Sequence, residues 1–251
     1  MNMKKLIICL VAFFAIVFGV QVYAAELNNL AEEQRPTKSF ERIRLQGSPD
    51  IKYTQGKTCS VRVKAPKNII KDIETRVEGN CLIVSLKSNR FFSFGSIKSG
   101  EVTVYVTSPD LIGVEVQGSG DFECKSLLDT DNMEISLRGS GDVNFTDIIC
   151  DHIKTSLVGS GDIEIKNVTA QQSSVELVGS GDVKVKQNKV KQTQLELKGS
   201  GDIKVACNNC DVVNCRLVGS GDITLSGTVK KLNRSTRGSG DIEISGLRVI
   251  K

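Results

Sequence analysis

Asp121, Asp142, Asp162, Asp182, Asp202, Asp222 and Asp241 each close a Gly-Ser-Gly-Asp tetrapeptide, at successive offsets of 21, 20, 20, 20, 20 and 19 residues. If the repeats stack, these carboxylates form a column, and like charges about 5 Å apart repel. Backbone N–H groups, water, flanking lysines or a cation must answer that charge. Calcium takes six to eight oxygen ligands, and acidic, glycine-rich repeats of secreted solenoids supply them from turn carboxylates and carbonyls. Each tetrapeptide here brings one acid. The first expectation is therefore a structural corner, and a calcium column is the second. In a tight corner glycine supplies positive φ or close backbone approach, while Ser and Asp bond nearby N–H groups.

The remaining reactive groups are thiols and one imidazole. Seven cysteines follow Cys9: Cys59, Cys81, Cys124, Cys150, Cys207, Cys210 and Cys215. Cys59 and Cys81 each precede an alternating apolar stretch and are the expected disulfide pair in an oxidising compartment. Cys207-x-x-Cys210 with Cys215 resembles a metal knuckle that lacks an evident fourth ligand, so no metal is assigned. The same thiols also suit small buried side chains or a local disulfide, and an odd count leaves one unpaired or intermolecular. His152 is the sole histidine, has no nucleophile in a recognisable motif, and is expected to face solvent. Glycan-cleaving β-helices use paired carboxylates in a cleft. Coils of 19 to 21 residues leave no material for a cleft wall, so no catalytic residues are assigned.

Positioning these groups requires strands. The residues one and three places after each Asp are apolar, as in Ile163 and Ile165 or Ile203 and Val205, with a mostly polar residue between them. That alternation marks a strand with one buried face. A second alternating strand enters each corner, as in Val175-Glu176-Leu177, and Val168, Val190 and Val212 are placed to fill a third side. About 20 residues cannot enclose a core alone, whereas stacked neighbours share one. The expected fold is all-β: a right-handed parallel β-helix of about 20-residue coils, handedness following the rule for parallel crossovers. A meander with the tetrapeptides as hairpin turns explains identical motifs in phase less well. Glu164, Lys166, Lys184, Lys186 and Lys204 fall on outward positions, where they suit a polysaccharide or protein surface and also discourage edge aggregation.

Residues 38–117 break the period but stay β-rich, and are read as an N-terminal cap continuous with the 118–251 array, since an open solenoid end needs cover. Gly47-Ser48-Pro49-Asp50 is a degenerate corner. Residues 66–73 suit a helical turn and 75–86 a hairpin. Phe91, Phe92 and Phe94 lie in a polar loop, either tucked over the core end or exposed as a contact patch. Residues 25–37 read as a flexible lead. Residues 1–24 read as a cleaved signal peptide: Lys4 and Lys5, an apolar run from Leu6 to Val20, and Val22-Tyr23-Ala24 before the cut. The full chain carries 33 Lys and Arg against 29 Asp and Glu; loss of Lys4 and Lys5 leaves 31 against 29. A nearly neutral chain argues against nucleic acid as a partner, and no later segment is apolar enough to span a membrane.

The run Phe40-x-x-Ile43-x-Leu45-x-Gly47-Ser48-Pro49-Asp50-Ile51-x-Tyr53-x-Gln55-Gly56, then Ser108-Pro109-Asp110-Leu111, then the Gly-Ser-Gly-Asp repeats, resembles the putative auto-transporter adhesin, head GIN domain family. The resemblance covers residues 38–249. It implies an exported β-helical protein of Bacteroidetes-type bacteria, in the periplasm, on the outer surface or secreted, with an adhesin role and no catalytic residues. The expectation is an exported cell-envelope protein, structural or adhesion-like, holding a polysaccharide or protein along a solenoid face. A calcium-stabilised binding module is the alternative, and a glycan-active enzyme the third reading.

Overall fold

The computed structural model describes residues 29–87 and 101–250. The first strands are β1 (Leu30–Arg35), β2 (Arg42–Gly47), β3 (Asp50–Gln55), β4 (Ser60–Pro66), β5 (Ile73–Glu78), β6 (Cys81–Leu86) and β7 (Thr103–Ser108), with a 3-10 turn at Ile70–Asp72. The array continues through β8 (Gly113–Gly118), β9 (Phe122–Asp129), β10 (Asn132–Gly139), β11 (Asp142–Ile149), β12 (His152–Gly159) and β13 (Asp162–Thr169). It ends with β14 (Gln172–Gly179), β15 (Asp182–Asn188), β16 (Gln192–Gly199), β17 (Asp202–Gly219), β18 (Ile223–Gly238) and β19 (Ile242–Val249).

The strands stack into two columns, so the chain is a parallel β-solenoid of about 20-residue coils. One column runs β6, β2, β8, β10, β12, β14, β16, then the second halves of β17 and β18. The other runs β7, β3, β9, β11, β13, β15, then the first halves of β17 and β18, and β19. Each Gly-Ser-Gly-Asp joins a strand of the first column to one of the second. Register is residue for residue, as in Leu157 over Leu137 and Asp182 over Asp162. Inward positions therefore repeat: Leu137, Leu157, Leu177, Leu197 and Leu217 form one fully buried file. The anticipated third side exists. The second column slips register between Ile165 and Val168, and Val168 and Val190 are buried beyond the slip, whereas Val212 is only partly covered.

The corner chemistry follows from stacking. The first glycine of each corner, Gly118 through Gly238, holds φ between 131° and 144°. Its carbonyl accepts two bonds from the next coil, as when Ser140 and Gly141 N–H donate to Gly118 O at 2.9 and 3.3 Å. At the second glycine a Cβ would lie 1.9 to 2.2 Å from a carbonyl oxygen of the preceding corner. Any side chain there blocks the stack.

Gly47–Asp50 is the eighth corner. β2 and β3 lie in register beneath β8 and β9, with Ile51 paired to Phe122 and Gly47 to Gly118. Residues between β3 and β8 are thus an insertion that folds against the first coil. β4 pairs antiparallel with β7, and the β5–β6 hairpin sets β6 beside β2. The expected helical turn and hairpin both form. Residues 25–37, expected as a flexible lead, require correction: within them β1 pairs antiparallel with β4. Alternation explains it, since Ala31 packs on the core while Glu32 meets Arg62 and Lys64, and Arg35 donates to Ile70 O at 2.7 Å.

Candidate functional site

The outer face of the second column carries a group of lysines. Strand alternation turns Glu164 and Lys166 of β13, Lys184 and Lys186 of β15, and Lys204 of β17 outward, while Ile165, Val185 and Val205 between them are buried. Glu164, Lys184 and Lys204 stand on successive rungs in register. Rungs lie about 4.8 Å apart, so the lysines stand on neighbouring rungs of one face. They border a shallow concavity of about 360 Å³ whose upper end is Thr224 and Ser226. Lys184 Nζ lies 3.8 Å from Asp182 Oδ2, and Lys204 Nζ 3.3 Å from Asp202 Oδ2. Among the described residues Lys166 and Lys186 make no ion pair.

The aspartate column borders this strip. The N–H of each later aspartate donates to Oδ1 of the one below: Asp142 to Asp121 at 2.9 Å, Asp182 to Asp162 at 3.0 Å, Asp241 to Asp222 at 2.9 Å. Asp50 begins the ladder by accepting from Asp121 N–H at 3.1 Å. The ladder skips one rung, where Asp202 N–H goes to Gly181 O instead. Backbone donors and two flanking lysines thus answer much of the carboxylate charge. Desolvation raises the carboxyl pKa of Asp121 and Asp142 above the ordinary value, with neighbouring aspartates adding to the rise. The serines of the seven Gly-Ser-Gly-Asp corners are exposed, and among the described residues their hydroxyls make no hydrogen bond. Among the described residues no group of three or more His, Cys, Asp or Glu is placed to hold a metal ion.

A second concavity, of about 560 Å³, lies on the first column along Asn132, His152, Gln172 and Gln192. His152 is exposed there, and the lining mixes amides and hydroxyls with Arg42, Glu134 and Lys154 and with apolar Ile112, Met133 and Ile153. Sequence reasoning found the lysine strip from alternation. It missed the amide file, because single Asn and Gln residues carry no signal until register stacks them.

Cys59 and Cys81 are both half-buried. Cys59 leads into β4, which pairs with β1 and β7, whereas Cys81 opens β6, which pairs with β2 and β5. Cys124, Cys150, Cys207, Cys210 and Cys215 are buried. Burial pushes the Cys150 and Cys215 thiols up to about 12. Phe91, Phe92 and Phe94 lie outside the described residues. No described helix is long and apolar enough to cross a membrane.

Solved structures share this architecture. An adhesin-like protein of Bacteroides fragilis, described as a putative adhesin, superposes with a TM-score of 0.73 at 26% identity, over 85% of this chain and 96% of its own. A putative lipid binding protein of Parabacteroides distasonis gives 0.70 at 24% identity, over 89% and 97%. A putative adhesin of the same organism gives 0.70 at 20%, over 85% and 96%. No curated protein matches the sequence. The family model for the putative auto-transporter adhesin, head GIN domain matches residues 39–209 and 173–251. With that match across nearly all of the array and its first coil, the chain belongs to the head GIN domain family of putative auto-transporter adhesins.

Proposed function

We propose that the chain is an exported, non-catalytic binding protein of the cell envelope that holds an acidic polymer, polysaccharide or protein, along the lysine strip of its outer face. The observation that carries this reading is that Lys166, Lys184, Lys186 and Lys204 line one concavity, Lys166 and Lys186 having no ion-pair partner among the described residues. A rigid sheet presents these charges at a fixed rise, so a polymer with regularly spaced carboxylates meets several at once. Little side-chain ordering beyond the lysine termini is then required. The adhesin description of the family and the apolar leader at residues 6–20 support an envelope setting. Coils of nearly constant length support a binding face rather than a catalytic cleft.

The test is binding of polygalacturonate and of uncharged dextran to residues 25–251 by isothermal titration calorimetry at low and moderate salt. Polygalacturonate is expected to bind, weakening as salt rises. The double variant Lys166→Gln, Lys186→Gln is expected to weaken it at least tenfold, and Gln172→Ala, Gln192→Ala to leave it unchanged. Equal binding of dextran, or no effect of the lysine variant, would sink the reading.

A further inference from the structure

We propose that Cys207 and Cys210 are a covalent modification site, closed into a disulfide inside the solenoid as the chain folds. The two thiols are three residues apart, a spacing that in an unbroken strand places side chains on opposite faces. Here both point inward and are buried, at 0% and 1% exposure. The cause is a slip in β17: register with β18 shifts between Cys207 and Cys210, and Asn209 between them adopts a positive φ of 53°. The coil beneath makes a related turn at Lys189, φ 55°, but places Gln187 and Val190 inward, where no such bond can form.

The slip turns both thiols into the same stretch of the interior, where the Cys210 thiol donates to the Gln187 and Asn208 carbonyls, each at 3.9 Å. Their proximity raises the pKa of the Cys207 thiol and lowers that of Cys210. Other pairings are remote. Cys150 occupies the place of Cys210 three coils below, with Ala170 and Val190 between, about 14 Å away at one rung per coil. A disulfide needs Cα atoms within about 7 Å. Cys215 lies in the other column, over Leu195.

The step balances by exchange with a small-molecule or protein disulfide. The Cys210 thiolate attacks one sulfur of that oxidant, forming a mixed disulfide and releasing one thiol. Cys207 then loses its proton and displaces the second thiol as the Cys207–Cys210 bond forms. Burial closes the site once the last coils dock, so the exchange belongs to folding.

The experiment refolds the reduced chain with oxidised glutathione, denatures it in acid, alkylates free thiols with N-ethylmaleimide and digests it with trypsin. Cleavage after Lys204 and Arg216 puts Cys207, Cys210 and Cys215 on one peptide. The expected peptide is lighter by two hydrogens and carries one alkyl group, on Cys215; reduction before alkylation gives three. Three alkyl groups without reduction, or an alkyl group on Cys207 or Cys210, overturns the proposal. The readout is covalent, so it stands or falls apart from polymer binding and from the compartment in which the chain resides. Cys210→Ser is expected to leave two cysteines, Cys207 and Cys215, alkylated or in mixed disulfides with no loss of two hydrogens, and Cys215→Ser to keep the loss of two hydrogens.

Discussion

Asp142 donates its N–H to Asp121 and accepts the N–H of Asp162 at 3.3 Å, so one side chain serves the corner above while its backbone serves the corner below. The acceptor is useful and the charge is not. Removing the acceptor in Asp142→Ala is expected to cost about 1 kcal/mol, the net worth of one such bond. Asp142→Asn retains an acceptor oxygen and removes repulsion from Asp121 and Asp162. The folded pKa of Asp142 is raised from 3.8, chiefly by desolvation. A raised pKa means the folded state favours the protonated form, so this stabilising contribution is present below the ordinary pKa and lost as pH rises through the folded one. The melting temperature of Asp142→Asn is therefore expected to match wild type near pH 3 and to exceed it progressively above pH 4, read by circular dichroism. A gap that is largest at acid pH would contradict the assignment. The glycines allow a sharper contrast. A Cβ at Gly161 would sit 2.0 Å from the Gly141 carbonyl oxygen, a backbone atom that cannot turn aside, whereas a Cβ at Gly79 meets nothing within 4 Å. Gly79→Ala is expected to cost only about 1–2 kcal/mol for its left-handed backbone. Gly161→Ala is expected to cost more, with a larger fall in the urea midpoint; equal costs would refute the stacking argument.

At the level of strands, the interior carries a buried polar set where β14, β15 and β16 meet. Gln187 Nε2 donates to Ser173 Oγ at 2.8 Å, and Thr193 Oγ1 donates to Gln187 Oε1 at 2.7 Å, all three side chains being buried. Gln187 occupies the file held by Val168 below and Cys207 above. Gln187→Ala orphans two hydroxyls and leaves a void, and is expected to cost about 3 kcal/mol. Replacing all three by Ser173→Ala, Gln187→Leu and Thr193→Val removes the polar set together and is expected to recover most of that loss in urea unfolding. A triple variant no better than the single one would show that the network itself contributes. Such details divide what was readable in advance from what was not. The corners repeat because the same carbonyl meets the same glycine in every coil, so the constraint is written at each period. The pairing of β3 with β9 is hidden, because the insertion separates Asp50 from Asp121 by far more than one coil and no period links them. The slip at Asn209 is hidden for a different reason: it follows from how one strand bends over its neighbour, and although Asn tolerates the left-handed backbone, the residue type does not say where in the strand the slip falls. The lysine strip was legible because alternation alone decides which side chains face out.

The molecule as a whole must end its stack at both sides, and it does so by different means. Below the first coil, β1 and β4 cover one column and the β5–β6 hairpin covers the other, with antiparallel strands terminating the parallel register. At the other end, among the described residues, no strand pairs with the outer edge of β19 or with the second half of β18. There the inward files change character instead. The file of Val175, Leu195 and Cys215 continues at Arg234, and the leucine file ending at Leu217 continues at Thr236. Arg234 reaches across the open end to donate to Ile242 O at 3.4 Å. An inward-pointing charge on a terminal rung disfavours the addition of another apolar coil, from this chain or a second one, because that coil would have to bury the guanidinium. The polar end therefore acts as a stop for a stack whose geometry would otherwise permit indefinite extension. Restoring the apolar files with Arg234→Leu and Thr236→Val removes the charge and keeps the strand. The mass measured by size-exclusion chromatography with light scattering is expected to rise with concentration in this variant and to exceed that of wild type at equal concentration. An unchanged mass would mean that the unpaired edge is held off by something other than these two side chains, leaving the arginine only its bond to Ile242.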